Sequence, residues 1–269
     1  MIRLVVNAEA FGASAASNRR ILDAHHRGIV TSTSVLGNCE DLPGAAASLR
    51  EAPRLGVGVA LALIGGRPLR GAAVPTLATA TGGLRERAID FARDWYKGDV
   101  AARDVEQELE AQIVRARDAG LAVDHLSTVG HLGFLPAIGE IVERLARRFG
   151  IAGIRTTVEP PGLGWIADPR RGAETALLAG LAWLTRRRLG ALRHGPITWG
   201  YLESGRLDVV RILEIIGQLA PGSHELISNP GAAGGQTAGD DELAALTSPR
   251  TRTAVQGRGI LLCRWRDLF

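Results

Sequence analysis

Four polar residues fall where strand-like runs of this chain give out: Glu9, His131, Arg155 and Asn229. A carboxylate and an imidazole at one mouth make a pair for moving a proton. Their alternative reading is structural, as two groups that satisfy loop N–H donors. An arginine there fits a carboxylate or phosphate on a ligand, or simply a neighbouring Glu159. An asparagine cannot supply a proton at neutral pH, but it can polarise a carbonyl or bind a sugar hydroxyl. Trp165, in a loop rich in Gly and Pro, can form an apolar wall for a sugar ring or pack against the core.

A hydrolytic metal needs about three protein ligands and an open position for water. The chain has six histidines. His25 and His26 lie in a helical pattern, and His194 and His224 lie at the wrong ends of their units. His125 begins its strand and reads as a hydrogen-bonded structural residue. Only Glu9 and His131 then remain as titratable mouth groups, so the sequence predicts no bound metal and no cofactor.

The elements that must position these residues alternate almost throughout. Ile2–Val6, Thr31–Leu36, Gly56–Leu63, Asp124–Val129, Ile151–Thr157, Ile197–Trp199, Glu225–Ser228 and Ile260–Arg264 read as strands. Between them, helical spacing recurs, as in Val105, Leu109 and Ile113 of the segment 104–119. Ser14 is a fitting N-cap for the first helix, and Pro43 opens the second. About eight β-α units without a linker predict a single domain over 1–269, a (β/α) barrel-like fold, slightly irregular in its closure. Such barrels carry function at the C-terminal strand ends. The segment 67–99 breaks the rhythm with Pro68, Pro75, Gly82 and Gly83, and reads as a lid or a surface insertion.

Composition excludes several classes. The net charge is +4, but the basic residues are almost all arginine, Lys97 being the one lysine. Aromatic content of 4% is too low for a base-stacking surface, so no nucleic-acid partner is expected. No apolar run reaches the ~18 residues that span a bilayer. The N-terminus opens directly into a strand, which suggests a cytoplasmic protein. Cys39 and Cys263 are far apart and read as reduced and buried. Arg186, Arg187 and Arg188 read as a solvated helix face, or as a site for an anionic substrate or a membrane surface.

The order of motifs resembles the YdjC-like carbohydrate deacetylases, which include chitooligosaccharide and hopanoid-associated enzymes. That family reads N-A-D-D-F-G, G-L-H-L, D-S-H-x-H-x-H and H-P-G. This chain reads Asn7-Ala8-Glu9-Ala10-Phe11-Gly12, Gly58-Val59-Ala60-Leu61, Asp124 to His131, and Asn229-Pro230-Gly231. Arg155 with Glu159-Pro160-Pro161, and the segments 200–206 and 242–249, are similar to the hopanoid-associated branch. The resemblance implies a polysaccharide-deacetylase-like barrel and a sugar-like small-molecule substrate. It also implies that Glu9 stands for the general base, with His131 and Asn7 on the substrate side. The family's divalent metal is held at positions occupied here by Ala10, Ala60 and Val129, none of which can bind it.

Three functions follow as expectations. The first is a metal-independent acid–base enzyme with Glu9 and His131 as catalytic residues and Asn7, Arg155, Asn229 and Trp165 around the ligand. The second is a non-catalytic binding or scaffold partner, with a homo-oligomer open to either. The third is a residual deacetylase that recruits a metal through other residues.

Overall fold

The computed structural model describes residues 1–156, 169–188, 195–201, 205–231 and 236–269. Trp165, Glu159 and His194 lie outside these residues. Eight parallel strands form one sheet. They are β1 (Ile2–Phe11), β2 (Ser32–Leu36), β3 (Gly56–Leu61), β4 (Val123–Thr128), β5 (Gly153–Ile154), β6 (Ile197–Trp199), β7 (Gly222–Ser228) and β8 (Ile260–Leu262). Seven of them curve into an arc in the order β5-β4-β3-β2-β1-β7-β6. This is the expected barrel-like architecture, and it is left irregular at one seam. Among the described residues β5 and β6, the two ends of the arc, are not paired.

β1 is the centre of the sheet. One edge pairs with β7 from Ile2↔Gly222 to Ala8↔Ser228. The other edge is shared by two strands, β8 at its start (Ile2↔Ile260) and β2 at its end (Asn7↔Ser32). Strand β1 runs to Phe11, beyond the Ile2–Val6 run predicted by apolar content, because its polar end is carried by pairing rather than by hydrophobicity. β5 is shorter than Ile151–Thr157 because only Gly153 and Ile154 meet β4.

Helices α1 (Ala15–Arg27), α2 (Leu42–Leu49), α3 (Ala88–Lys97), α4 (Ala102–Asp118), α5 (Pro136–Arg148), α6 (Pro169–Arg188), α7 (Val209–Gln218), α8 (Gln236–Thr247) and α9 (Pro249–Gly257) connect the strands. Ser14 caps α1 by accepting from Ser17 N at 3.0 Å. The main core lies between the helices and the outward sheet face, with Leu4, Val6, Ala8, Val59, Leu61 and Leu126 buried there.

The segment 67–99 is pinned onto α4. Glu108 accepts from the N–H groups of Leu69 and Arg70, and Asp104 accepts from Thr76 N and Thr76 Oγ1. Val74, Leu77, Leu84 and Phe91 are buried. Its Ala88 packs near Gly130, beside the barrel mouth.

The inner face of the sheet is mostly polar and narrow. Trp265 fills its N-terminal half, fully buried and stacked on the His125 ring at 4.9 Å. Gly58 is required opposite. A Cβ there would lie 2.3 Å from His125. Gly58→Ala is therefore expected to lower stability by about 1–3 kcal/mol, the usual cost of overpacking. Denaturant unfolding checks this, with Gly217→Ala as the control, because its added Cβ meets nothing within 4 Å.

Candidate functional site

Alternation along the strands sends Asn7 and Glu9 of β1, Ser34 of β2, His125 of β4 and Glu225 of β7 inward. Arg155, just past β5, joins them. Its guanidinium is 3% exposed and lies between two carboxylates. It meets Glu225 in bidentate geometry, Nε to Oε2 at 2.9 Å and Nη2 to Oε1 at 2.6 Å, and Glu9 Oε1 through Nη2 at 2.8 Å. Glu225 also accepts from Trp265 Nε1 and Thr198 Oγ1, both at 3.2 Å. Burial pushes the Glu225 carboxyl up, but the Arg155 charge and hydrogen bonds outweigh it and hold the group below the ordinary carboxylate range.

A second chain reaches Glu9 from below. Asp124 Oδ1 lies 2.8 Å from His125 Nδ1 and, as a carboxylate, can only accept, so Nδ1 donates. In that tautomer His125 Nε2 accepts from Ser34 Oγ at 3.2 Å. Ser34 Oγ accepts from Asn7 Nδ2 at 3.0 Å, and Asn7 Nδ2 also donates to Glu9 Oε1 at 2.8 Å. Asp124, His125 and Ser34 have the order of a hydrolytic triad. Ser34 and His125 are fully buried, however, and none of the three lines the cavity at the mouth, so the three act as support. This agrees with the structural reading of His125.

Above this network lies a cavity of about 180 Å³, lined by Glu9, His131, Tyr201 and Asn229 together with apolar side chains. Ala10, Ala60 and Val129 are among the latter, with Leu36 and Ile227. Leu36 and Val129 also border an open groove of about 1000 Å³ that runs over the loops after β1, β2 and β3. Of the residues singled out in the sequence, Glu9, His131 and Asn229 therefore share one cavity. Asn7 and Arg155 do not line it. Both expected to touch a ligand, they instead hold Glu9 from beneath, because the nearest partners of their donors are buried acceptors of the chain itself. Trp165 lies outside the described residues.

Glu9 is held by one oxygen only. Asn7 and Arg155 both bind Oε1, and Oε2 has no hydrogen-bond partner among the described residues. Ala10 and His131 are the only non-glycine residues among those described with positive φ, at 64° and 55°. Both border the cavity. Such conformations cost about 1–3 kcal/mol each and gather at functional sites. At Ala10 the cause is a bulge, since the β1–β2 register shifts between Ala8 and Phe11. The Ala10 carbonyl is fixed by Ser17 Oγ at 3.0 Å and Ala13 N at 3.2 Å.

The His131 ring stacks on Phe134 and meets the edge of Tyr201, with centroids 5.3 and 4.7 Å away. Burial, reinforced by the Arg155 charge and only partly offset by Glu225, pushes His131 down to about 3. The imidazole is neutral at pH 7 and offers one donor and one acceptor rather than a charge. Asn229 is oriented through its backbone, whose N–H donates to the buried carboxylate of Glu242.

Tyr201, Glu225 and Glu242 were missed as functional residues in the sequence. Tyr201 follows β6 at the mouth, which was a usable signal. Glu225, the acidic residue of β7, was another. Among the described residues, the cavity offers one carboxylate and one imidazole, fewer than the roughly three ligands a hydrolytic metal takes. Glu9 and His131 are the carboxylate and imidazole lining the cavity, and no group of three or more His, Cys, Asp or Glu converges among the described residues.

A model of the family "YdjC-like protein" matches residues 3–257. A carbohydrate deacetylase of Brevibacillus brevis is 35% identical over 150 residues, covering 56% of this chain and 58% of that protein. The chain thus spans little more than half the length of that relative. A chitooligosaccharide deacetylase of Yersinia pestis is 30% identical over 268 residues, 98% of each chain. A crystal structure from Enterococcus faecalis V583, named for cellobiose-phosphate cleavage, superposes with a TM-score of 0.79 at 22% identity, covering 99% of this chain and 98% of that one.

Two outcomes follow from the buried charges. Arg155→Met leaves Glu225 buried without its partner and is expected to cost about 3–5 kcal/mol in urea unfolding, with much of the loss recovered in Arg155→Met/Glu225→Gln. Acidification is expected to destabilise the fold through His131, because its folded pKa is depressed and the unfolded chain binds the proton first. That contribution to stability is lost as pH falls below about 6.5 toward 3. His131→Asn should lose less stability than the wild type between pH 7 and 5.

Proposed function

Since the chain belongs to the YdjC-like family, we propose that it is an enzyme of the carbohydrate-deacetylase type that works by proton transfer to Glu9, without a resident metal. The observation that carries this reading is the carboxylate of Glu9, a residue that lines the cavity, anchored through Oε1 by Asn7 and Arg155 while Oε2 has no hydrogen-bond partner among the described residues. A fixed carboxylate with one open oxygen is a positioned general base. Water or a substrate hydroxyl beside Oε2 would give up its proton there.

Neutral His131 and Asn229 would hydrogen-bond the polar atoms of a carbohydrate or similar small molecule. The small side chains of Ala10, Ala60 and Val129 would take an apolar group such as an acyl methyl, and the neighbouring groove would take the rest of a longer substrate. Without Lewis-acid help, hydrolysis of an unactivated amide is slow. The reading therefore favours an activated acyl bond, or an isomerisation, elimination or cyclisation that proton transfer can drive. The same three replacements support a second reading, a relative that binds sugars without turnover.

The test uses N-acetyl chitooligosaccharides and activated acetyl esters of sugars as substrates. Glu9→Gln should lower kcat by about 10²-fold or more with the fold intact, and Asn7→Ala, which frees the carboxylate, should lower kcat more than it raises KM. Glu9→Gln combined with His131→Asn should lose less than the sum of the two. A chelator should leave the rate unchanged. Normal turnover by Glu9→Gln would overturn the assigned base, and loss on chelation with recovery on adding Zn²⁺ would overturn the metal-independent step. Tight sugar binding with no turnover on either substrate would leave the second reading.

A further inference from the structure

Helix α6 packs Leu181 against the core but leaves other large apolar side chains exposed. A surface helix ordinarily buries its larger apolar residues and shows polar ones to water. Here the buried positions are Gly172, Thr175, Ala182 and Thr185. The exposed ones include Leu177 (65%), Trp183 (55%) and Leu184 (45%). The small inner face is what lets α6 lie close against the chain, with Thr185 Oγ1 donating to Phe134 O at 2.6 Å and Gly139 facing the Thr185 methyl.

At 100° per residue, Ala173, Ala176, Leu177, Gly180, Trp183 and Leu184 fall on one outward sector. Gly180 has open space around it. Both ends of this sector are basic. Arg170 flanks it at the start of the helix and Arg187 and Arg188 at the end, with Glu174 as the acidic residue between, while Arg171 and Arg186 lie on the other side. The Arg187 guanidinium lies over the Trp183 ring at 4.4 Å.

We infer that this face of α6 docks onto an anionic lipid surface. Leu177, Trp183 and Leu184 with arginines beside them form an exposed apolar patch with a basic rim, the chemistry that suits the boundary between lipid headgroups and acyl chains. The charge distribution sets the occupant. A second copy would bring arginine ends together whether the two helices ran parallel or antiparallel, whereas anionic headgroups meet both ends with opposite charge. The helix also borders the mouth. Tyr201, which lines the cavity, donates through its hydroxyl to Glu174 at 3.2 Å. The contact is peripheral, because no helix among the described residues is long and apolar enough to cross a membrane.

The full chain is mixed with vesicles of phosphatidylcholine alone, and with vesicles in which about a third of the lipid is phosphatidylglycerol. Sedimentation should show binding to the anionic vesicles at least about tenfold tighter than to the neutral ones, weakened by added salt. Leu177→Glu/Leu184→Glu changes two exposed side chains and should leave circular dichroism unchanged while lowering vesicle binding by about tenfold or more. Arg170→Ser/Arg187→Ser/Arg188→Ser should remove the preference for anionic lipid. Absence of binding to anionic vesicles, or equal binding by the Leu177→Glu/Leu184→Glu variant, overturns the inference. So does a wild-type dimer that this variant converts to monomer, which would make the face a contact between copies.

Discussion

The rest of the structure depends on one buried charge. The guanidinium of Arg155 cannot be deprotonated, and so must be neutralised where it lies. Two carboxylates do this, Glu225 from β7 and Glu9 from β1. The arc of strands is open between β5 and β6, and the Arg155–Glu225 pair reaches across the barrel interior from the β5 side to the β7 side. It substitutes, in part, for the backbone ladder that a closed barrel would have at the seam. The same charge fixes the orientation of Glu9, so the feature that closes the fold also arms the site.

Charge and volume are layered inside the barrel. Trp265 occupies the lower layer, a hydrogen-bonded chain from Asp124 to Glu9 occupies the middle, and small apolar side chains line the mouth. Polar groups in the middle layer are costly unless paired. Asn7 Oδ1 and Ser127 Oγ have no partner in it, while Asn7 Nδ2 is fully used. The network is thus tuned for holding Glu9 rather than for maximal stability.

Much of this was legible in the sequence because periodicity and motif order survive without chemistry. The order of strand ends placed Glu9, Ala60, His131, Arg155 and Asn229 around one mouth; four of them line one cavity, and Arg155 lies beneath it. The roles of Arg155 and Asn7 were not legible. Their partners, Glu225 and Ser34, lie 70 and 27 residues away, and no local pattern encodes such pairs. The left-handed backbone at Ala10 was equally hidden, since alanine carries no signal for positive φ. The exposed apolar face of α6 was half visible, as an arginine run, but its meaning needed the burial of Thr175 and Thr185 on the opposite side.

The sharing of one β1 edge between β2 and β8 has a consequence for the order of synthesis. β1 is made before the other seven strands, yet its opening residues are paired by β8 and the barrel interior beside it is filled by Trp265, both far downstream in sequence. Glu225 also arrives late. A nascent chain can fold the β1–β4 side early, but such parallel pairings across a long sequence separation form slowly. Until β7 is made, Arg155 has no Glu225, and until β8 and Trp265 follow, the start of β1 is unpaired on one edge and the lower interior is unfilled. A chain cut between Asn229 and Ile260 would therefore carry every residue that lines the cavity while lacking the pairing and packing beneath them.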